Sequence, residues 1–373
     1  MITAAPLPAW GDFLAILDAD VPADARLTAP WAIGGGRGYP LSRSAWSLSA
    51  LVEMRKIEGQ ARPRLWLPDF FCNTSSGPAR AAGADVVFYP VTQAMTPDWA
   101  ACRALAERAR PSLFVLVHYF GAANDTEGAK TFCVETGAAL VEDAAHVLGP
   151  TSKIGRAGDY VLFSPHKLIG IPDGAILVAR KGTEALNRAL KALPAAQPSP
   201  WGWMARRVAQ MAIPEVVWKI IRPIPDIPFE YDPPAATLFP YPGMSATARK
   251  ILGRAFMRLD AEAESRREAE TALRTALSGI PGWKFWPIVW GNDESPYRAV
   301  FVCDTPAMAA ERFSRLRRAG CLVESWPDMA SEVVTDPTGH GEAIDLRRRI
   351  LVFPLPPKEK AEALARACVA ALR

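Results

Sequence analysis

One alternation constrains this chain more than any other feature. From about residue 40 to 190, short apolar runs of β-forming residues are separated by stretches of helical composition, the pattern of parallel βαβ units. The runs fall at 64–67, 85–89, 113–117, 139–141, 160–163 and 175–179, and segments 98–110 and 126–136 have the length and composition of helices. The expected fold class is α/β, with a large domain built on an open, mostly parallel sheet covered by helices. Such sheets bind ligands beyond the carboxyl ends of their strands. Polar residues directly after each run are therefore the candidates for chemistry.

The pattern stops at residue 193. Segment 193–245 is dense in Pro and Trp and interrupts regular structure. Within it, 206–221 sets Arg206, Arg207 and Lys219 beside Met, Val, Trp and Ile. Pro214 interrupts any helix there, which favours an interface or domain-capping arm over a basic amphipathic helix on a membrane surface. From Ser245 one long helical pattern runs on, followed by strands around Val300 and Leu351 and a closing helix over 358–372, a smaller α+β domain. The expected organisation is an N-terminal arm and large domain over 1–192, an insertion or arm over 193–245, and a small C-terminal domain over 246–373; a length of 373 residues accommodates two or three such units.

Composition removes several partners. A net charge of +4 without an aromatic-interleaved basic stripe gives no reason to expect nucleic acid. Six scattered cysteines form no CxxC pair and have no His at ligand spacing, so no metal is expected and the thiols read as those of a reducing, cytoplasmic protein. The first twenty residues lack the basic start and apolar core of a signal peptide, and no apolar run approaches the roughly 20 residues that span a bilayer.

Three segments carry candidate chemistry. In YPLSRSAWSLSALVEMRKIEG, Leu48, Leu51 and Val52 at helical spacing follow a Ser-rich start with Ser44 as the expected N-cap. A helix N-terminus with small side chains is an anion site, although most Ser caps only cap. The nearby Gly34–Gly38 run lacks the GxGxxG order of a dinucleotide loop and reads as a flexible loop. In LVEDAAHVLGP, an apolar strand ends in Glu142 and Asp143; a carboxylate there can hold a ring nitrogen protonated, but taken alone it reads as a cap of the following turn. In GDYVLFSPHKLIGIPDGAILVARKG, Lys167 sits in a turn between two apolar strands, where desolvation would make its amine a nucleophile. Alone, it reads as a surface lysine.

In combination these segments resemble the DegT/DnrJ/EryC1/StrS family of pyridoxal-phosphate (PLP)-dependent sugar aminotransferases, of fold type I. The resemblance covers most of 40–373 and is strongest over 112–180, where a strand ending in His and Gly, a helix, Glu-Asp-Ala-Ala-His, Gly-Asp and Phe-Ser-Pro-His-Lys follow in the family's order. Counting back from Asp173-Gly174-Ala175, in the place of the family's Glu-Gly-Gly, puts the family's Schiff-base lysine on Lys167. Related dehydratases carry His at that position; here His166 precedes the lysine.

The resemblance implies that Lys167 carries the cofactor and moves protons, Asp143 keeps the pyridine nitrogen protonated, and His146 lies by the ring oxygen. It also implies that the backbone N–H groups of Ser44 and Ala45, with the Ser164 hydroxyl, hold the phosphate. It further implies an amino donor, expected to be glutamate, a keto sugar as acceptor, expected to be nucleotide-linked, and a homodimer.

The chain departs from the family in three places. PDFFCN puts Cys72 in the slot of the aromatic that stacks on the cofactor, leaving Phe71 or Phe70 to stack. The family's Asn-Tyr-Arg is replaced by PGMSATARK, and its small-domain histidine by WPDMASEV. These departures keep open a non-sugar carbonyl or a non-transaminating PLP reaction, and a non-catalytic protein that retains the fold. His118 and His340 read as structural or surface residues.

Overall fold

The structure, a computed structural model, describes residues 5–213, 217, 227–229, 240–287 and 289–373. Two short helices, α1 (Trp10–Phe13) and α2 (Asp24–Thr28), precede a seven-stranded sheet of β1 (Arg37–Leu41), β2 (Arg64–Pro68), β3 (Asp85–Tyr89), β4 (Leu113–Val117), β5 (Ala139–Ala144), β6 (Tyr160–Phe163) and β7 (Ala175–Ala179). The strand order is β1-β7-β6-β5-β4-β2-β3; β2 to β6 are parallel, and β7 runs antiparallel to both of its neighbours. Helices α3 (Ser44–Ile57), α4 (Asn73–Ala81), α5 (Trp99–Ala109) and α6 (Thr126–Thr136) provide crossovers and cover, followed by α7 (Glu184–Ala192) and α8 (Trp201–Ala212).

All six expected strand runs are strands. β4 and β7 are buried at every residue, as continuous apolar runs under helices should be. Two readings need correction. β5 does not stop at Val141 but continues to Ala144, so Glu142 and Asp143 lie inside the strand with side chains on opposite faces. The Gly34–Gly38 run is only partly a loop: Gly34, Gly35 and Gly36 have positive φ, but β1 begins at Arg37 and pairs with β7 over five residues. Pro40 hid this strand, since Pro has no N–H to donate and suits only an edge position such as β1 occupies.

The second sheet is antiparallel, in the order β10 (Ile350–Phe353), β9 (Ala299–Cys303), β8 (Trp283–Trp286). The closing helix is Lys358–Leu372, and the expected long helix after Ser245 is instead two, Ala246–Ala255 and Leu259–Leu277, joined by a 3-10 turn. The halves serve different cores. Ala248, Ile251 and Leu252 pack with Val161, Ile176 and Val178 of the large sheet, whereas Leu273 and Leu277 pack with Trp283, Phe301 and Phe353 of the small one.

In the arm, α8 carries Arg206 and Arg207. Arg207 is buried, donates to Gln210 Oε1 (2.7 Å) and lies over Trp203, whose ring stacks on Phe13. Burial against the N-terminal segment makes it a packing residue. Pro214 and Lys219 lie outside the described residues. Among the described residues no helix is long and apolar enough to cross a membrane, and no group of three His, Cys, Asp or Glu is placed to hold a metal.

Candidate active site

Strand register gathers the candidate residues along one edge of the large sheet. Leu41 at the end of β1 pairs with Ala175, Ile176 with Phe163, Phe163 with Ala144, and Asp143 with Val117. The residues at or just beyond these ends are Ser42 to Ala45, Ser164 to Lys167, Asp143 to His146, and His118 to Gly121, with Asp143 and Ala144 the last two residues of β5. Strands lie about 4.8 Å apart, so β1 and β6, separated only by β7, bring the α3 N-terminus beside Ser164.

Helix α3 starts at Ser44, with Arg43 in the N-cap position, its backbone extended and no side chain capping. The expectation that Ser44 caps is thus off by one residue. Ser44 and Ala45 instead occupy the first turn, whose N–H groups have no helical partner. The hydroxyl of Ser164 is fully buried and has no hydrogen-bond partner among the described residues. Buried hydroxyls are rarely left unpaired, so this orphan beside a helix N-terminus fits an anionic group such as a phosphate.

Lys167 closes a single 3-10 turn, Pro165–Lys167, and its N–H donates to Ser164 O (2.9 Å). Pro165 starts that turn with its φ already set. Asp143 is buried, and Oδ1 accepts from Ala145 N–H (2.9 Å). Burial pushes its pKa up; the Lys167 charge, the Ala145 hydrogen bond and His118 pull less strongly the other way. A buried carboxylate that senses a nearby ammonium is suited to pair with a cationic ring nitrogen. The orphaned Ser164 hydroxyl and this buried acid together show that the residues present fit PLP.

His146 Nδ1 accepts the N–H of Phe120 (3.2 Å), which assigns the ring proton to Nε2. Burial, then the charges of Lys167 and Arg298, lower its pKa well below the usual range and keep it neutral. Its ring stacks on Tyr297 at 4.5 Å and 15°, with Phe120 on it at 5.6 Å. Phe120 itself has φ +53°, and the next residue, Gly121, φ +103°. A Cβ at Gly121 would run into the Ser295 carbonyl oxygen and crowd the backbone of His146 and Tyr297. Gly121→Ala is expected to lose about 1–3 kcal/mol of stability, read as a lower urea midpoint at unchanged slope; an unchanged midpoint would show that this turn is not strained.

Phe71 is buried in the first core, and Phe70 packs on Tyr119 (5.7 Å) and Trp326 (5.3 Å). Cys72, in the aromatic's slot, donates its S–H to Asp328 Oδ1 (2.6 Å). Burial, then Asp328, push the thiol up to about 12, with Lys167 opposing, so Cys72 stays a neutral thiol near the lysine. Asp328 also accepts from Thr74 N–H (3.1 Å) and the Thr74 hydroxyl (2.7 Å), clamping the α4 N-terminus.

Sequence reasoning missed this wall. Asp328, Trp326, Tyr297 and Arg298 come from the small sheet's side of the chain, and Trp326 stands edge-on to His146 at 5.3 Å. The only signal was WPDMASEV itself, visible as a departure from the family.

His118 and His340 are structural, as expected. His118 Nε2 meets Glu142 Oε2 (2.9 Å) in full burial while its Nδ1 accepts from Asn124 N–H (3.1 Å); His340 Nδ1 meets Asp69 Oδ2 (2.9 Å). Glu142 also accepts the N–H groups of Gly155 (2.7 Å), Ala157 (2.7 Å) and Gly158 (2.6 Å). Burial would raise its pKa, but His118 and these N–H groups outweigh it and bring it to about 2, against an ordinary 4.5. A depressed carboxylate stabilises the fold fully above its unfolded pKa and loses that contribution as pH falls toward its folded one. The wild type is therefore expected to lose about 3 kcal/mol between pH 4.5 and 2 through Glu142. Glu142→Gln, destabilised at neutral pH, should show a flatter acid limb in urea titrations; parallel limbs would refute the role.

Residues 60–195 match the sequence profile of the DegT/DnrJ/EryC1/StrS aminotransferase family. Among curated proteins no sequence match was found. Solved structures with the same fold include an aminotransferase TlmJ from Streptoalloteichus hindustanus (20% identity, TM-score 0.70, 100% of this chain and 98% of that one). Helicobacter pylori PseC, an aminotransferase involved in the biosynthesis of pseudoaminic acid, aligns at 12% identity and TM-score 0.71 over 99% and 98% of the two chains. The PLP form of a putative sugar aminotransferase, Spr1654, from Streptococcus pneumoniae aligns at 12% and 0.70 over 99% and 98%. At these identities the likeness establishes the architecture, an α/β aminotransferase fold, while the profile match rests on the very segment that carries Asp143, His146, Ser164 and Lys167. Through residues 60–195 the chain is thus similar to the DegT/DnrJ/EryC1/StrS aminotransferase family.

Proposed function

We propose that this protein is a cytoplasmic, homodimeric PLP-dependent aminotransferase that moves an amino group from glutamate to the keto group of a nucleotide-linked sugar. The observation that carries the reading is the buried Asp143 carboxylate set against the Lys167 charge at one strand edge, with the orphaned Ser164 hydroxyl beside the α3 N-terminus. In this reading residues 1–192 hold the cofactor, 193–245 form an interface arm, and 246–373 wall off the substrate.

PLP, when bound, supplies an electron sink that makes the proton on the donor's amino carbon removable. The chain does the rest. The first-turn N–H groups of Ser44 and Ala45 and the Ser164 hydroxyl anchor the phosphate and fix the ring's orientation. Asp143 keeps a proton on the ring nitrogen by opposite charge in a dry site. His146, neutral and protonated at Nε2, donates to the ring oxygen without adding charge. Phe71 is the aromatic available to the ring face. Lys167 Nζ, held by the Pro165 turn, would be the base that takes up the donor carbon's proton.

A second reading, a non-sugar carbonyl acceptor or a non-transaminating PLP reaction, is favoured by Cys72 in the slot of the family's aromatic, bonded to Asp328 of the stretch WPDMASEV that replaces the family's small-domain histidine. Incubation with nitrogen-labelled glutamate and a panel of nucleotide-linked keto sugars separates the two. Label appearing in an amino sugar supports the first reading; glutamate turnover without labelled sugar sinks it in favour of the second.

A further inference from the structure

We propose that His340 is a positioning residue for the candidate active site: by holding Asp69 it fixes the loop after β2 that carries Phe70 and Cys72. Its effect on rate rests on the proposed function; its effect on that loop does not.

Asp69 directly follows β2 and is 1% exposed. Its N–H donates to Tyr89 O (2.8 Å), its Oδ1 accepts from Val91 N–H (3.0 Å), and its Oδ2 faces His340 Nδ1 (2.9 Å). Burial pushes the Asp69 pKa up; His340 opposes this most, and the N–H groups of Val91 and Phe70 less. Taking the imidazole away leaves a buried carboxylate on backbone donors alone, the costly way to break a buried pair. The loop that Asp69 starts reaches the site within three residues. Phe70 O accepts from the Tyr119 hydroxyl (2.8 Å), and the Phe70 ring stands edge-on to Trp326 (5.3 Å), which is itself edge-on to His146 (5.3 Å). Cys72 donates to Asp328 Oδ1 (2.6 Å) and lies where the Lys167 charge is felt. Asp69 thus anchors a loop whose further contacts run to the site's own residues.

His340 reaches Asp69 from a distant part of the chain. It lies in the helix Pro337–Arg347, whose backbone leaves helical geometry at this residue (φ −132°, ψ 22°). Its ring makes no other hydrogen bond among the described residues. His118 differs: that ring is held through both nitrogens, and its partner Glu142 accepts three further N–H groups. The bonding of His340 is spent on Asp69 alone. A cavity of about 580 Å³ opens beside the pair, with Asp69, Asp98, His340 and Glu342 in its lining. It gives a small aromatic base access to the place that the His340 ring occupies.

The test follows Cys72 and the rate separately. In cofactor-free full-length protein, alkylation by iodoacetamide is timed and located by mass spectrometry. Burial and Asp328 hold the Cys72 pKa up, so a loosened loop exposes a more acidic thiol. His340→Ala is expected to alkylate at Cys72 roughly 10-fold faster, the change that a thiol pKa one unit lower gives. In PLP-loaded protein, loss of the cofactor's visible band on mixing with glutamate should slow roughly 10- to 100-fold, as for a site displaced by a fraction of an ångström to one ångström, with half-saturating glutamate little changed. Imidazole added to His340→Ala, or the substitution His340→Asn, which keeps a donor at the Nδ1 position, should recover most of both effects. The double variant Asp69→Asn with His340→Ala has no unpaired buried charge, so it folds even where the single variant does not, and it too should alkylate fast at Cys72. Cys72 alkylation at the wild-type rate in either folded variant, or a loss that neither imidazole nor His340→Asn recovers, overturns the assignment. A protein that shows the Cys72 change but takes up no cofactor fails the proposed function alone.

Discussion

Lys167→Ala is expected to abolish the borohydride-sensitive visible band of the PLP-treated protein and to reduce amino transfer by about 10²- to 10⁴-fold, the range for loss of a positioned general base. The size of the effect follows from Lys167 being the one amine among the described residues whose charge reaches Asp143, His146 and Cys72. Lys167 is held by a turn that Pro165 initiates, and its charge is sensed at Asp143, His146 and Cys72, which come from β5, the turn after it and the loop after β2. No small change restores that geometry, although the phosphate anchors at Ser44, Ala45 and Ser164 are untouched. Cofactor should therefore still bind the variant, released by dialysis and unaffected by reductant. A variant that keeps its band and rate would show that the lysine is a bystander.

Asp143→Asn separates function from stability. Asparagine matches the shape but carries no charge, so the far pole of the ring loses the group that holds its proton, and transfer is expected to fall about 10²- to 10³-fold, as when a site loses one preorganised electrostatic contact. Stability should not fall with it. Burial raises the Asp143 pKa, which means that folding disfavours its ionised form, and such a group weakens the fold as pH rises through its folded pKa. The cofactor-free variant is therefore expected to melt at or above the wild-type temperature at neutral pH, while the PLP-loaded wild type gains more from cofactor than the variant does. A cofactor-free Asn variant that melts well below wild type would mean that Asp143 serves structure first.

The large sheet was legible in the sequence for a definite reason. Helices on both faces force apolar residues at every position of β4 and β7, and such runs stand out between helical segments. β1 was hidden because Pro40 and three glycines with positive φ look like a loop, although an edge strand tolerates both. The Ser44 cap was misplaced by one residue because Arg43, not a typical capping residue, takes the extended backbone there.

The candidate residues Asp143, His146, Ser164 and Lys167 were readable from their order along the chain, since they lie at or shortly after the ends of β5 and β6. The opposing wall was not. Tyr297, Arg298, Trp326 and Asp328 reach His146 and Cys72 only through tertiary packing across more than a hundred residues of sequence, and no local periodicity marks them. That wall includes WPDMASEV, one of the three stretches in which the chain departs from the family it resembles.

The most direct test of the whole account is to reduce the PLP-treated protein with borohydride, digest it and locate the pyridoxyl group by mass spectrometry. The account predicts a single modified peptide, with the added mass on Lys167. A pyridoxyl group on any other lysine, or none at all in a folded protein, would contradict it.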